Sequence, residues 1–583
     1  MKTNLIIKSA LFGFGWAIVL LVSVTRASAQ EIPLLEFDAR IFPEVATAGM
    51  VASQESQATQ VGVEILNQGG NAVDAAVAVG FALAVTLPRA GNIGGGGFML
   101  IYEKKSNQIK ALDYREKAPQ KAHRDMFLDT RLAVDKKKSR HSLHASGVPG
   151  TVAGLVEAHS KYGKLPFEKL LAPAIKLAQA MPLTFSMSQS LNAKQEYLSR
   201  DEASRRIFTK ANGSFWRVGE TFTQSELAKT LSLIAQTKGK DFYQGITASR
   251  MVEFFKANDG LIDAQDLANY RAIWREPVST EINKYQIFSM PPPSSGGVHL
   301  IQLLNIIRQF PIDQTGATSA YASHLKTEAM KFAYADRSKY LGDPDFVKVP
   351  VKQLTSRAYA KRIAAKIDLN RVLTPEQIKP GAQLDQESPQ TTHFSVMDSE
   401  GNVVSNTYTL NFSFGSGISV PGAGFLLNNE MDDFSSKPGV ANAFGLLGGE
   451  ANAIEPLKRP LSSMTPVIVL KEGQPWLATG SPGGSRIIST VFNFLLNRIV
   501  HKMNIAEATL IPRIHHQWYP DKLMLEKGFP ADSAKLLRQK GHTIEYRRPW
   551  GSLQSVELNE GLYFGFADPR RPGALAKGVF KTK

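Results

Sequence analysis

The chain of 583 residues has no cysteine. That excludes disulfides, thiolate metal sites and a cysteine nucleophile, and leaves the fold to its core. Acids are also in short supply: 52 Asp and Glu face 68 Lys and Arg, a formal charge of +16. The basic residues are spread along the chain, and the densest run, Lys136-Lys137-Lys138-Ser139-Arg140, is short and reads as an exposed loop. A solvated basic surface is expected, with no nucleic-acid groove. Long hydrophobic runs are absent apart from Ala10 to Val24, which Lys2 and Lys8 precede and Ala27-Ser28-Ala29 follows. These are the parts of a secretory signal, residues 1-29, cut before Gln30. An uncleaved membrane anchor is the rival, but the run is short for a span of about 20 residues. A periplasmic or secreted protein without stable membrane insertion is expected, and loss of Lys2, Lys8 and Arg26 leaves it at +13. No linker rich in Gly, Ser or Pro divides the remainder, and no internal repeat is evident. With 43% hydrophobic and 9% aromatic residues, the composition is that of an ordinary globular protein.

Ser53 to Leu66 and Ala72 to Val85 read as helices, the second apolar on most faces and hence buried. Pro88 to Gly97 then leads into a strand, Phe98 to Tyr102. Phosphate-cradling glycine loops run strand, loop, helix, the reverse of this order, so the glycines indicate close backbone packing beneath a site. Ala111 to Glu116 reads as a strand ending in charge, and residues 165 to 375 as mainly helical, including Glu328 to Tyr340. Pro291 to Gly297 reads as a structural turn rather than a serine-nucleophile elbow. From Thr391 the texture becomes alternating strands with turns at Ser399-Asn402 and Lys471-Gly473. Strands packed with helices from both halves indicate a layered α/β architecture.

Thr391-Thr392-His393-Phe394-Ser395-Val396 carries the chemistry. A threonine hydroxyl needs a base, and its own α-amine serves only if Thr391 becomes an N-terminus by cleavage of the Gln390 to Thr391 peptide. Pairing Asp398 with Val403 across the turn sets Thr391 opposite Leu410, with Thr409 and Asn411 on either side. Gly480-Ser481-Pro482-Gly483-Gly484-Ser485-Arg486 opens an apolar helix whose unpaired N–H groups suit an oxyanion. Carboxylates in Asn428 to Phe434 suit an ammonium group, and Arg459 to Met464 places serine hydroxyls beside an arginine, suiting a carboxylate. Asp432-Asp433 and His515-His516 are weak metal signals, and neither metal nor cofactor is expected.

Together with Gly94-Gly95-Gly96-Gly97-Phe98-Met99 and Asp113-Tyr114-Arg115-Glu116, these motifs resemble the γ-glutamyltranspeptidases of the N-terminal-nucleophile hydrolase group, from about Ala48 to the C-terminus. The resemblance implies a four-layer αββα sandwich and a precursor that cuts itself into a large subunit, 30-390, and a small one, 391-583, held as a non-covalent heterodimer. It implies that Thr391 is the nucleophile in processing and catalysis, with Thr409 supporting it and Gly483 and Gly484 as oxyanion donors. Arg115, Ser462 and Ser463 would hold the substrate α-carboxylate, and Asn411, Glu430 and Asp433 its α-ammonium. Substrates would be γ-glutamyl compounds such as glutathione, with water, amino acids or peptides as acceptors. Position 430 is Glu where some bacterial members have Gln, an added negative charge expected to strengthen the ammonium contact. Lys437 to Gly445 resembles a lid in which Phe444 stands where several relatives carry tyrosine. The alternatives are a glutaryl-type β-lactam acylase of the same group and an exported glutamyl-peptide binding protein.

Overall fold

The computed structural model describes residues 40–378, 391–437, 439–440 and 448–581. The signal segment, Gln390 and Phe444 therefore lie outside the described residues. The described residues from Phe42 onward cluster as one unit.

Fourteen strands form two large sheets. In chain order they are β1 (Glu44–Ala46), β2 (Gly49–Ser53), β3 (Gly96–Glu103), β4 (Gln108–Tyr114), β5 (Ile273–Arg275), β6 (Val278–Ile282), β7 (Tyr285–Ser289), β8 (Thr392–Asp398), β9 (Val403–Thr409), β10 (Val467–Lys471), β11 (Gln474–Thr479), β12 (Gln554–Asn559), β13 (Leu562–Ala567) and β14 (Leu575–Val579). One seven-stranded sheet runs β1-β13-β12-β11-β10-β7-β6 and the other β14-β2-β8-β9-β3-β4-β5, with every neighbouring pair antiparallel. Helices that matter to the site are α1 (Ser56–Asn67), α2 (Ala72–Thr86), α3 (Gly296–Ile307), α4 (Ala320–Tyr340), α5 (Arg486–Ile499) and α6 (Ala531–Gln539).

The pleat sorts the core. Val51, Met99 and Ile101 join a cluster with the α2 side chains Val77 and Phe81. Their strand neighbours Met50, Phe98 and Leu100 join a second cluster with Ile468 and Leu477 of the other sheet and with α3, α4 and α5. Successive residues of a strand point to opposite faces, so each central strand of the β2-containing sheet serves both clusters. Helix α2 is buried along its whole length, as its apolar composition requires, and Asn71 and Asp74 close a capping box at its start.

Strands on either side of position 390 alternate within both sheets: β8 and β9 lie between β2 and β3, and β10 to β13 lie between β1 and β7. The interleaving explains why no composition boundary separates the two halves.

The stretch read as mainly helical is mainly helical, and it also holds β5, β6 and β7; the β6–β7 hairpin turns through Asn283 at φ +51°, and its short, half-exposed strands carry little hydrophobic signal. Two sequence expectations need correction. Lys136 to Arg140 is not a loop but lies in a short helix, Lys136–His141, that Asp135 caps. The β8–β9 register is one residue away from the expected one: Met397 pairs with Val403. Asp398 instead closes the turn, its carboxylate accepting the N–H groups of Glu400 and Asn402 at 2.9 Å each. The shift sets Thr391 in line with Thr409.

Candidate functional site

Thr391 immediately precedes β8, where that strand pairs with β9 but has run past its pairing with β2, which reaches only to Phe394. The hydroxyl is thus held at the end of a sheet, 6% exposed. Its Oγ1 lies 3.5 Å from Thr409 Oγ1, which also accepts the Asn411 N–H at 2.9 Å. The glycine run packs beneath: a Cβ at Gly95 would stand 2.0 Å from Thr409 O and one at Gly97 2.4 Å from Tyr408 Cβ. The sequence expectation of close backbone packing there holds.

His393 is no base for this hydroxyl. Ser395 Oγ donates to Gln554 O at 2.9 Å, so it accepts from His393 Nε2–H at 3.0 Å, leaving Nδ1 to accept from Thr407 Oγ1 at 2.8 Å. Burial pushes the imidazole down to about 3, so it is neutral and fixed within the sheet. A Cβ at Gly480 would meet that ring at 2.5 Å, which explains one glycine of the following motif. Gly483 and Gly484 take φ +144° and +56°, conformations that favour glycine, and α5 starts at Arg486 with no side-chain cap. Gly484 lines the pocket over Thr391, whereas Gly483 is not among the lining residues.

The same pocket is lined by Arg115, Asn411, Glu430, Asp433, Ser462 and Ser463, every substrate-binding residue expected from the sequence. Arg115 follows β4 and is fully buried. Its guanidinium bonds Glu430, reaches Asp433 at 2.5 Å and Glu116 at 3.4 Å, and donates to Pro460 O at 3.2 Å. Burial opposes its charge, but the acids outweigh burial and raise its pKa. Burial pushes Glu116 up to about 7, against the pull of Arg115, and raises Glu430 for the same reason, with Glu116 and Asp433 adding repulsion. The expected added charge at Glu430 is therefore moderated by its own surroundings. Arg115 engages Glu430 through Oε1, and Glu430 lines the pocket.

The serine pair is braced from behind by the Pro291 to Gly297 turn. Ser295 donates to Ser462 O through N at 2.8 Å and Oγ at 2.7 Å, and Ser294 Oγ donates to Met464 O at 2.6 Å. The turn is structural, as expected. Asn428 pins the acidic turn to the glycine loop, donating to Gly94 O at 2.8 Å and Gly147 O at 2.7 Å. Asp432 faces away from Arg115 and accepts from Arg140 and Ser139 at 3.1 Å each. His515 bonds Ser489 and Gln517, and His516 bonds Asp521, so neither pair is gathered as a metal site.

Sequence reasoning missed Arg337. It lies on α4, donates from Nε to Ser295 Oγ at 2.9 Å and from Nη2 to Ser463 Oγ at 3.2 Å, and lines the pocket. Burial lowers it to about 10, with Asp433 the first of the charges that oppose this. The available signal was a charged Asp336-Arg337 pair closing the alanine-rich stretch Ala329 to Ala335, whose helix is buried on nearly every face. A second cation beside the serine pair gives the pocket two guanidinium groups, Arg337 on the serines and Arg115 on the acids Glu430 and Asp433. This polarity fits a zwitterionic amino-acid head.

A family profile described as gamma-glutamyltranspeptidase matches residues 58–578. The chain is 52% identical to the glutathione hydrolase proenzyme of Escherichia coli (strain K12), over 92% of this chain and 93% of that protein. The chain belongs to the γ-glutamyltranspeptidase family. It is 44% identical to the glutathione hydrolase proenzyme of Pseudomonas aeruginosa, over 91% of this chain and 95% of that one. Among solved structures, the γ-glutamyltranspeptidase of Helicobacter pylori superposes with a TM-score of 0.55 and 45% identity, covering 56% of this chain and 93% of its own. The cephalosporin acylase of Bacillus halodurans superposes with a TM-score of 0.83 at 28% identity, covering 94% and 99%. The expectation of an enzyme of this family holds, as does that of a mixed α/β class, which the structure builds on two large antiparallel sheets. Among the described residues no helix is long and apolar enough to cross a membrane.

Proposed function

We propose that the chain is an exported proenzyme that cuts itself before Thr391 and then transfers γ-glutamyl groups from glutathione and related compounds to water, amino acids or peptides. In processing, Thr391 Oγ1 attacks the Gln390 carbonyl carbon, the C–N bond breaks, and the acyl group passes to oxygen as an ester while the amine is released. Water then hydrolyses the ester, leaving a carboxylate on Gln390 and a free Thr391 amine and hydroxyl. The products, 30-390 and 391-583, stay together because their strands alternate within both sheets. A four-layer αββα sandwich is the architecture this reading assigns, with helices outside the two sheets.

In turnover the freed amine takes the Thr391 hydroxyl proton as the oxygen attacks the substrate γ-carbonyl. Backbone N–H groups of Gly483 and Gly484 stabilise the oxyanion, and the departing amine receives the proton. A γ-glutamyl ester remains on Thr391, which water or an acceptor amine resolves. Thr409 orients the nucleophile. The substrate head enters by exchange: its α-carboxylate takes Arg115, Ser462 and Ser463, and its α-ammonium takes Asn411, Glu430 and Asp433. Two internal ion pairs become two intermolecular ones, so the buried charge stays balanced.

The observation that carries this reading is the buried Thr391 hydroxyl sharing one pocket with Arg115, Glu430, Asp433 and the serine pair. The likeness to a cephalosporin acylase favours one alternative, a glutaryl acylase, which needs the same nucleophile but no ammonium site. Purified enzyme is expected to turn over γ-glutamyl-p-nitroanilide faster than glutaryl-p-nitroanilide, and the reverse order would favour the acylase.

A further inference from the structure

A cluster of ligating side chains outside the pocket is used by none of this chemistry. His324 and Glu328 lie four residues apart on α4 and so share one face of the helix. His542 approaches them from the segment after α6, where its N–H caps Leu537 O at 3.1 Å. One ligand atom from each of the three lies within 4.8 Å of the others. All three residues are buried, His324 and Glu328 completely and His542 to 6% exposure.

Hydrogen bonding fixes the histidine chemistry. His324 Nε2 lies 2.7 Å from Asp368 O, and a carbonyl only accepts, so Nε2 carries the proton. Nδ1 is left with its lone pair, and it faces His542 Nε2 at 2.8 Å. A ring N–H held by a backbone carbonyl is the arrangement that orients metal-ligating histidines. Glu328 Oε2 accepts the Leu373 N–H at 3.1 Å, while Oε1 is held by Lys331 Nζ at 2.8 Å as an ion pair. Lys331 retains Leu373 O at 2.9 Å and Asp521 at 3.8 Å if a stronger cation takes that oxygen.

We propose that His324, Glu328 and His542 form a binding site for a divalent cation of the zinc class. Two imidazole nitrogens and one carboxylate oxygen suit Zn²⁺, whereas Ca²⁺ and Mg²⁺ take oxygen ligands. Tetrahedral Zn–N bonds of about 2.0–2.1 Å set two nitrogens about 3.3 Å apart, so the rings part by roughly 0.5 Å. His542, on a loop and nearest the surface, can make that shift. His324 and Glu328 precede position 390 and His542 follows it, so the cation ties the two sides of the chain together. That they become separate subunits rests on the processing proposed above; the site itself does not.

The test uses untagged full-length protein, stripped with a chelator and titrated with zinc chloride by calorimetry. One saturable equivalent is expected, weakened by more than about tenfold in His542→Gln and in Glu328→Gln, since ligand loss costs at least what loss of an outer partner does. X-ray absorption at the zinc edge should show two imidazoles in an all-nitrogen and oxygen shell. The Thr391→Ala chain, which cannot cut itself on the proposed mechanism, should bind the same equivalent, which separates this site from the processing reading. No saturable binding, or unchanged binding in both ligand variants, would overturn the proposal and leave the pair as an N–H···N hydrogen bond.

Discussion

Replacing Arg115 with alanine tests the electrostatics of the pocket in two ways at once. The guanidinium is fully buried and touches Glu116, Glu430 and Asp433, so its removal takes away a substrate partner and also strands three acids. Loss of a desolvated, charge-assisted contact costs about 2–4 kcal/mol, or about 30- to 700-fold in kcat/KM. The stranded acids cost about 3–5 kcal/mol of stability at neutral pH. The pH dependence identifies the cause. Glu116 and Glu430 already titrate above their ordinary value, with Glu116 at about 7, and losing Arg115 raises them further. A folded carboxyl whose pKa exceeds its unfolded one holds more protons when folded, so stability falls as pH rises between the two values. The variant's deficit in melting temperature relative to the parent should therefore be small near pH 5 and widen through pH 7 and 8. Melting curves at those pH values, together with kcat/KM on γ-glutamyl-p-nitroanilide, read both effects. A deficit that is constant with pH, or larger at acid pH, would refute the reasoning, as would an unchanged kcat/KM.

Other outcomes follow from the same geometry. Thr409→Val keeps the shape of the side chain but removes the hydroxyl 3.5 Å from Thr391 Oγ1; kcat should drop about 5- to 30-fold, the worth of a hydrogen bond of about 1–2 kcal/mol, with KM little changed. Arg337→Met releases Ser463 and removes one of the two cations of the pocket, so KM for the γ-glutamyl substrate should rise about tenfold while self-cleavage, followed on a denaturing gel, proceeds. Gly95→Ala drives a Cβ to 2.0 Å from Thr409 O and should destabilise by about 3 kcal/mol or more, seen as a lowered melting temperature and impaired cleavage.

Residue identity made much of the site legible from the chain alone. Motifs point to Thr391, Arg115, the acidic turn and the serine pair, strand spacing points to Thr409 and Asn411, and the fold brings them to one pocket. Spacing did less well. The β8–β9 register was off by one because a carboxylate, Asp398, took the turn's N–H groups, a choice that hydrophobic alternation cannot see. The edge hairpin β6–β7 was lost because half-exposed strands of mixed polarity carry little periodic signal. Arg337 stayed hidden because its partner hydroxyls, Ser295 and Ser463, are distant in sequence. The raised pKa of Glu116 and of Glu430 is a property of burial and neighbours, which only the folded arrangement supplies. The same holds for the cluster of His324, Glu328 and His542, whose third member lies far along the chain.

The central claim is that one hydroxyl frees its own amine and then uses it. Mass spectrometry of the purified active enzyme, paired with the Thr391→Ala chain, tests it most directly. The account predicts a fragment beginning at Thr391 in the parent, and an uncut, inactive chain in the variant. An active parent with no polypeptide starting at Thr391, or a variant that still cleaves there, would contradict it.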